Sequence, residues 1–222
     1  MARRARIKVP NQIYSVVTRI NNYEYHFSNK AISEAFLSHL KQVKKNLKFK
    51  LFAFVIMSTH VHLLIQPDDE IADISMIMCQ INGQFSQKFN GHNKRKGHFW
   101  MQRFASKIVE NGAYLANTII YFFLNPLRAG ITDNPLKYSY SSVHALTGKK
   151  YQDLVDELPK DLVEVLKEFL KRNDYFELIE KCVRIMKRFS FNLTKAKFDQ
   201  RFKDFTGSYE FMNLYNKKFC NR

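Results

Sequence analysis

KLFAFVIMSTHVHLLIQP, residues 50–67, holds two apolar runs separated by three polar residues. Residues 50–57 are apolar at nearly every position, the pattern of a central strand covered on both faces. Residues 58–60 (STH) are a short connection. Residues 61–66 read as the next strand, ended by Pro67 and the acidic turn Asp68-Asp69-Glu70. So short a connection predicts an antiparallel hairpin, because a parallel crossover needs about a dozen residues or more.

Working outward, residues 13–19 (IYSVVTR) are β-branched and aromatic and read as a strand. Over residues 31–47, Ile32, Phe36, Leu40, Val43 and Leu47 recur at helical spacing, with Lys41, Lys44, Lys45 and Lys48 mostly outside that stripe. A second helical stripe over 72–90 comprises Ile74, Met78, Ile81, Phe85 and Phe89. Asn90 to Gly97 is a polar, basic loop, and 103–109 alternates like a strand. Residues 111–125 read as a helix that stops at Asn125-Pro126. The order β-α-β-β-α-β, then a helix, predicts an α+β protein: a ferredoxin-like split-βαβ core, with helices on an antiparallel sheet. Residues 127–150 read as irregular, and 159–172, 175–189, 195–205 and 208–218 as helices. The break at Gly148-Lys149-Lys150 divides the chain into a core domain of residues 1–150 and a helical extension of residues 151–222.

The chain has 222 residues, 36 of them basic and 20 acidic, a formal charge of +16. With 45% hydrophobic residues it can bury a core, which argues against intrinsic disorder. No apolar run reaches the ~18 residues of a membrane-spanning helix. The N-terminus is basic but no apolar signal core follows, so a cytoplasmic protein is expected. Cys79, Cys182 and Cys220 are widely spaced and read as reduced thiols. The positive field suits a polyanion. Residues 1–149 carry 20 basic and 8 acidic residues (+12), residues 150–222 carry 16 and 12 (+4), so the attraction is concentrated in the core. Arg3, Arg4, Arg6 and Lys8 form a basic arm, and Lys94, Arg95 and Lys96 a basic loop. No basic amphipathic helix stands out, so a membrane partner is not expected.

His60 and His62 are two apart at the start of a strand, so both imidazoles project from one face and form half of a divalent-metal site. Two histidines satisfied by backbone bonds would give the same pattern. Tyr121 and Asn125 are one helical turn apart on a shared face, which Tyr114 and Thr118 extend, while Leu115, Ile119 and Phe122 face the sheet. By spacing alone, the favoured reading is that Tyr121 is a core aromatic and Asn125 a helix terminator before Pro126.

MSTHVHLLI, then GHFWMQRF, then YFFLNPLRAG together resemble the IS200-type single-tyrosine transposases, and within them the REP-associated branch of the HUH endonuclease superfamily. ARIKVPNQIYSVVTRINN and YSYSSVHALTG resemble the two ends of that family's core, and the likeness covers about residues 1–148. Ser58-Thr59 stands where the family more often has Pro-Asn, and Ile20 where it commonly has Gly. The resemblance implies a metal-dependent enzyme that nicks and joins single-stranded DNA near hairpins. It makes His60 and His62 ligands of Mg²⁺ or Mn²⁺, Asn125 a third ligand, and Tyr121 the nucleophile that forms a 5′-phosphotyrosine. Tyr114 is the alternative nucleophile. Arg103 and Arg128 flank this site in sequence and are candidate phosphate clamps. The arm Arg3, Arg4, Arg6 is a candidate hairpin contact. A monomer is favoured over a homodimer. The competing expectation is a non-catalytic module that binds single-stranded DNA or RNA on a ferredoxin-like fold, with Tyr14 or Phe54 stacking bases. A structural zinc site is disfavoured, since no cysteine neighbours His60 and His62 at finger spacing.

Overall fold

The computed structural model describes residues 8–68, 73–172, 174, 175, 177 and 205–206. Four strands form an antiparallel sheet: β1 (Ile13–Arg19), β2 (Phe49–Met57), β3 (His60–Pro67) and β4 (Ala105–Val109). Their spatial order is β2-β3-β1-β4, the ferredoxin-like arrangement the sequence predicts. The β2–β3 turn is only Ser58 and Thr59, so His60 is already in the strand. Helix α1 (Lys30–Asn46) starts at Asn29, whose side chain accepts a hydrogen bond from the Ala31 N–H.

The second predicted helix is three pieces: α2 (Ile74–Met78), a π-helical turn (Cys79–Gln84) and α3 (Phe85–His92). It begins at Asp73, whose carboxylate accepts from the N–H groups of Ser75 and Met76. The wide turn turns carbonyl groups outward, where side chains meet them. His39 Nε2 contacts Gln80 O and Ile81 O, and Trp100 Nε1 and Ser86 Oγ both donate to Asn82 O.

Alternation along the strands sorts the core into two layers. Tyr14, Val16, Leu63, Ile65 and Phe54 face α1, α2 and α3. Ile13, Leu64, Ala53 and Val55 face the other side, covered by α4 (Ala113–Arg128) and α6 (Lys160–Leu170). Tyr14 and Phe54 are fully buried, so neither stacks a base as the binding-module expectation required.

Helix α4 differs from expectation: it starts two residues later than predicted and runs through Pro126 to Arg128. Proline removes the N–H that would reach Phe122 O, but a single missing bond near a C-terminus is tolerated when the face is buried. Ala129 N–H still reaches Asn125 O, Ile131 N–H reaches Pro126 O, and Gly130 (φ 68°) closes the turn in the left-handed region. Residues 127–150, expected to be irregular, contain a 3₁₀ turn (Pro135–Lys137) and a short helix, α5 (Val143–Leu146).

This segment and its continuation seal the outer edge of β2. Ile56 N–H donates to Tyr140 O, Ser142 N–H to Phe54 O, and Phe54 N–H to Ser142 Oγ. Leu51 N–H donates to Asp156 Oδ2, and Asp156 N–H to Leu51 O. Tyr151 and Leu154 pack on the first layer, and Leu162, Leu166 and Phe169 on the second, so residues 151–170 share the core of the sheet. Of the C-terminal helices, 159–172 is observed as 160–170. Residues 205–206, where a helix was expected to end, instead form a short strand, β5, parallel to β4. Of the predicted helix 175–189 only residues 175 and 177 are described, and both are helical; its remainder and the helix 208–218 lie outside the described residues.

Candidate active site

The site lies on the α4 side of the sheet. Period-two alternation sends Val61, Leu63 and Ile65 to the α1 side and His62 to the other, with Leu64 following on the α4 side two residues along. The His60 and His62 ring centroids are 5.0 Å apart and nearly perpendicular. His60 pairs in register with Arg19 of β1 and Met57 of β2, and His62 with Val17 and Val55. Opposed residues on neighbouring strands share a face, so the exposed Arg19 stands beside His60.

Both imidazoles are held neutral. Burial, then the Arg19 charge, pulls His60 down to about 4. Burial, followed by His60, Arg19 and Arg128, pulls His62 down to about 3. Neutral imidazole is the form that binds a metal ion.

Helix α4 brings the phenol. Tyr121 and Phe122 sit 5.9 and 5.2 Å, ring to ring, from His62. The Arg128 guanidinium lies 5.0 Å over the Tyr121 ring, a cation–π contact. Asn125, one turn after Tyr121, donates from Nδ2 to Tyr121 O at 2.9 Å. Tyr114 is two turns earlier, and burial followed by Glu110 pushes its phenol up. The phenol against the histidines is Tyr121.

The donor set suits a divalent ion. Two neutral imidazoles share one face, and His60 Nδ1 is 3.0 Å from Thr59 Oγ1, which leaves Nε2 to coordinate. Asn125 uses its nitrogen for the backbone, leaving Oδ1, the atom a hard cation takes. Among the described residues no group of three His, Cys, Asp or Glu side chains comes together, and the Asn125 amide oxygen is the further donor that α4 offers.

The structure thus gathers His60, His62, Tyr121 and Arg128, with Asn125 one helical turn beyond Tyr121. Arg103 lines an open groove of about 570 Å³ with Gln87, Asn90, His98 and Gln102, in the segment whose Met101 N–H donates to Arg19 O. Lys94 and Lys96 are exposed, whereas Arg95 is half-buried and engaged, with Glu24 at 2.9 Å and His98 O at 3.2 Å. Arg3, Arg4 and Arg6 lie outside the described residues. Phe99 and Trp100 are buried among Phe27, Phe85 and Phe89. Sequence reasoning missed two members, Arg19 and Thr59. The strand register would have revealed Arg19, since the last residue of β1 must lie opposite the first of β3.

A profile of the family described as "Transposase IS200 like" matches residues 8–121, just over half of the chain, and the chain belongs to that family. The match ends on Tyr121 itself. Over 118 residues the chain is 30% identical to a REP-associated tyrosine transposase of Haemophilus influenzae, covering 49% of this chain and 67% of that one. Its fold is similar to that of a REP-associated tyrosine transposase solved bound to a REP hairpin (TM-score 0.58, 18% identity, 72% of this chain and 94% of the other). No helix among the described residues is long and apolar enough to cross a membrane.

Proposed function

We propose that this chain nicks and rejoins single-stranded DNA beside a hairpin, with Tyr121 as nucleophile. The observation that carries this reading is the packing of Tyr121 against His62, 5.9 Å ring to ring within one chain, between two arginines. Tyr121 Oη attacks the scissile phosphorus, a Tyr–O–P bond forms and the P–O3′ bond breaks. The phenolic proton is lost to solvent, and the 3′ oxygen leaves as a hydroxyl after taking a proton. Arg19 and Arg128 meet the negative charge of the phosphate. A Mg²⁺ or Mn²⁺ ion held by His60, His62 and Asn125 would supply Lewis-acid polarisation of that phosphate. The phosphotyrosine conserves the bond energy, so a second 3′-hydroxyl reverses the step and joins strands. Because histidines and tyrosine come from one chain, and β2's free edge is sealed by residues 140–156, we assign the monomer as the active unit.

The test is covalent trapping. Labelled single-stranded DNA carrying hairpins is incubated with the protein in Mn²⁺ or EDTA and run on denaturing gels. A metal-dependent adduct absent from Tyr121→Phe is expected. An adduct surviving in that variant moves the nucleophile to Tyr114, and no adduct on any hairpin substrate refutes the enzyme.

A further inference from the structure

The connection from β1 to α1, residues 20–29, holds two of the most exposed aromatic side chains among the described residues: Tyr23 at 57% and Tyr25 at 72%. Exposure of a bulky aromatic costs stability that burial would have returned. The backbone adds a second cost, since Asn22 and Tyr23 both take positive φ (53° and 54°), which a bulky residue rarely adopts.

The loop is nonetheless fixed from within. Glu24, between the two tyrosines, pairs with Arg95 at 2.9 Å, and His26 Nε2 lies 2.6 Å from the same carboxylate, outside hydrogen-bond geometry. The His26 ring stacks on Phe99 at 5.4 Å and Phe27 is buried. Asn21 N–H donates to Phe99 O, Ile20 N–H to Thr59 O, and Phe27 N–H to Ser58 O. Residues 24, 26 and 27 thus face inward, while 23 and 25 are presented to solvent on a pinned frame.

The surroundings state what these rings meet. The Arg95–Glu24 bond brings the basic loop to the tyrosines, and its neighbours Lys94 and Lys96 are exposed. The Ser58 and Thr59 contacts bind the loop to the turn that carries His60. Tyr23 follows Arg19 by four residues, at most about 14 Å of chain. Paired aromatics interleaved with lysines, beside a phosphodiester-cutting site, are the chemistry of a base-stacking platform for a single strand.

We propose that Tyr23 and Tyr25 stack on unpaired bases of the DNA strand that leads to the active site, with Lys94 and Lys96 on its phosphates. The proposal rests on the DNA-cutting reading only for the identity of the strand, and its test uses no cleavage. Binding of the full chain in EDTA is followed by fluorescence anisotropy with three DNAs: a hairpin with a single-stranded tail on each side, the same hairpin blunt, and the tailed hairpin with abasic tails. Against the tailed DNA, the double variant Tyr23→Ala/Tyr25→Ala is expected to bind on the order of tenfold or more weaker. Tyr23→Phe/Tyr25→Phe, which keeps the rings, is expected to bind like the wild type. Blunt and abasic DNAs are expected to bind equally to all three proteins, which also reports that the variants are folded. Equal binding of the tailed DNA by wild type and alanine variant overturns the proposal. So does tighter binding of a tailed hairpin made of RNA, which assigns the platform to another nucleic acid. Tail-dependent binding with no Tyr121 adduct would sustain the platform and refute the enzyme instead.

Discussion

Lowering the pH should destabilise this fold through His62. His62 is only 5% exposed, and its imidazole is held at about 3 by burial first, then by the unfavourable coupling to a proton on His60 and by the Arg19 and Arg128 charges. In the unfolded chain the same ring titrates near 6.5. A depressed folded value means the stability is whole above 6.5 and is lost as the pH falls toward 3, because the unfolded state takes up a proton the folded state refuses. At pH 5 the difference is about one and a half pH units below the unfolded value, or ~2 kcal/mol from this ring alone. His60 adds loss of the same sign, since it too is lowered. The assay is urea unfolding of wild type and His62→Gln at pH 7.5 and pH 5.0, without divalent metal. The wild type should lose ~2 kcal/mol more than the variant between the two conditions, a midpoint difference of roughly 1 M urea. Subtracting the variant removes every other titrating group from the comparison. If the two proteins lose stability in parallel, His62 is not the buried neutral ring described here, and its readiness to bind a metal ion loses its physical basis.

Thr59→Val removes the hydroxyl at His60 Nδ1, so Mn²⁺ affinity by calorimetry should fall roughly 10- to 100-fold, with Thr59→Ser restoring it. Unchanged affinity would detach Thr59 from the site. Arg19→Gln should slow formation of the Tyr121 adduct by on the order of tenfold to a hundredfold while leaving Mn²⁺ binding intact, because a charged contact to phosphate is worth about 1.5–3 kcal/mol; a matched loss of metal binding would contradict a phosphate role. Asp156→Ala leaves the buried Leu51 N–H without its carboxylate and Lys44 without its 2.5 Å partner. Thermal or urea unfolding should register about 1–3 kcal/mol, and Asp156→Asn, which keeps an acceptor, should recover most of it.

What could be read in the sequence followed from short-range patterning. The two apolar runs of residues 50–67 announce a hairpin because each strand buries both faces, and His60 and His62 share a face because a strand repeats every two residues. The helical stripe Ile74, Met78, Ile81, Phe85, Phe89 is buried or half-buried as expected, yet its spacing gave no warning of the π turn. That turn is stabilised by His39 and Trp100, which are distant in sequence. The end of α4 was misjudged for a related reason: Pro126 argues locally for termination, but Leu124, Asn125 and Leu127 are all buried, and packing outweighs one lost hydrogen bond. Tyr121 and Asn125 were legible as a pair, but the apposition of Tyr121 to His62 depends on α4 packing on the sheet. Arg19, Thr59 and the two exposed tyrosines carry no local pattern; register, turn geometry and burial reveal them.

The sealed edge of β2 bears on where this protein can be cut. The family profile stops at Tyr121, and a boundary drawn there, or at the end of the helix that carries it, looks natural on a sequence map. Yet the amides of Leu51, Phe54 and Ile56 find their acceptors at Asp156, Ser142 and Tyr140. A fragment ending before residue 140 would present a long, apolar strand with bare amides, the template on which chains add to one another. The smallest soluble unit therefore extends past Asp156, and a recombinant fragment trimmed to the profile should be recovered from inclusion bodies rather than from the supernatant.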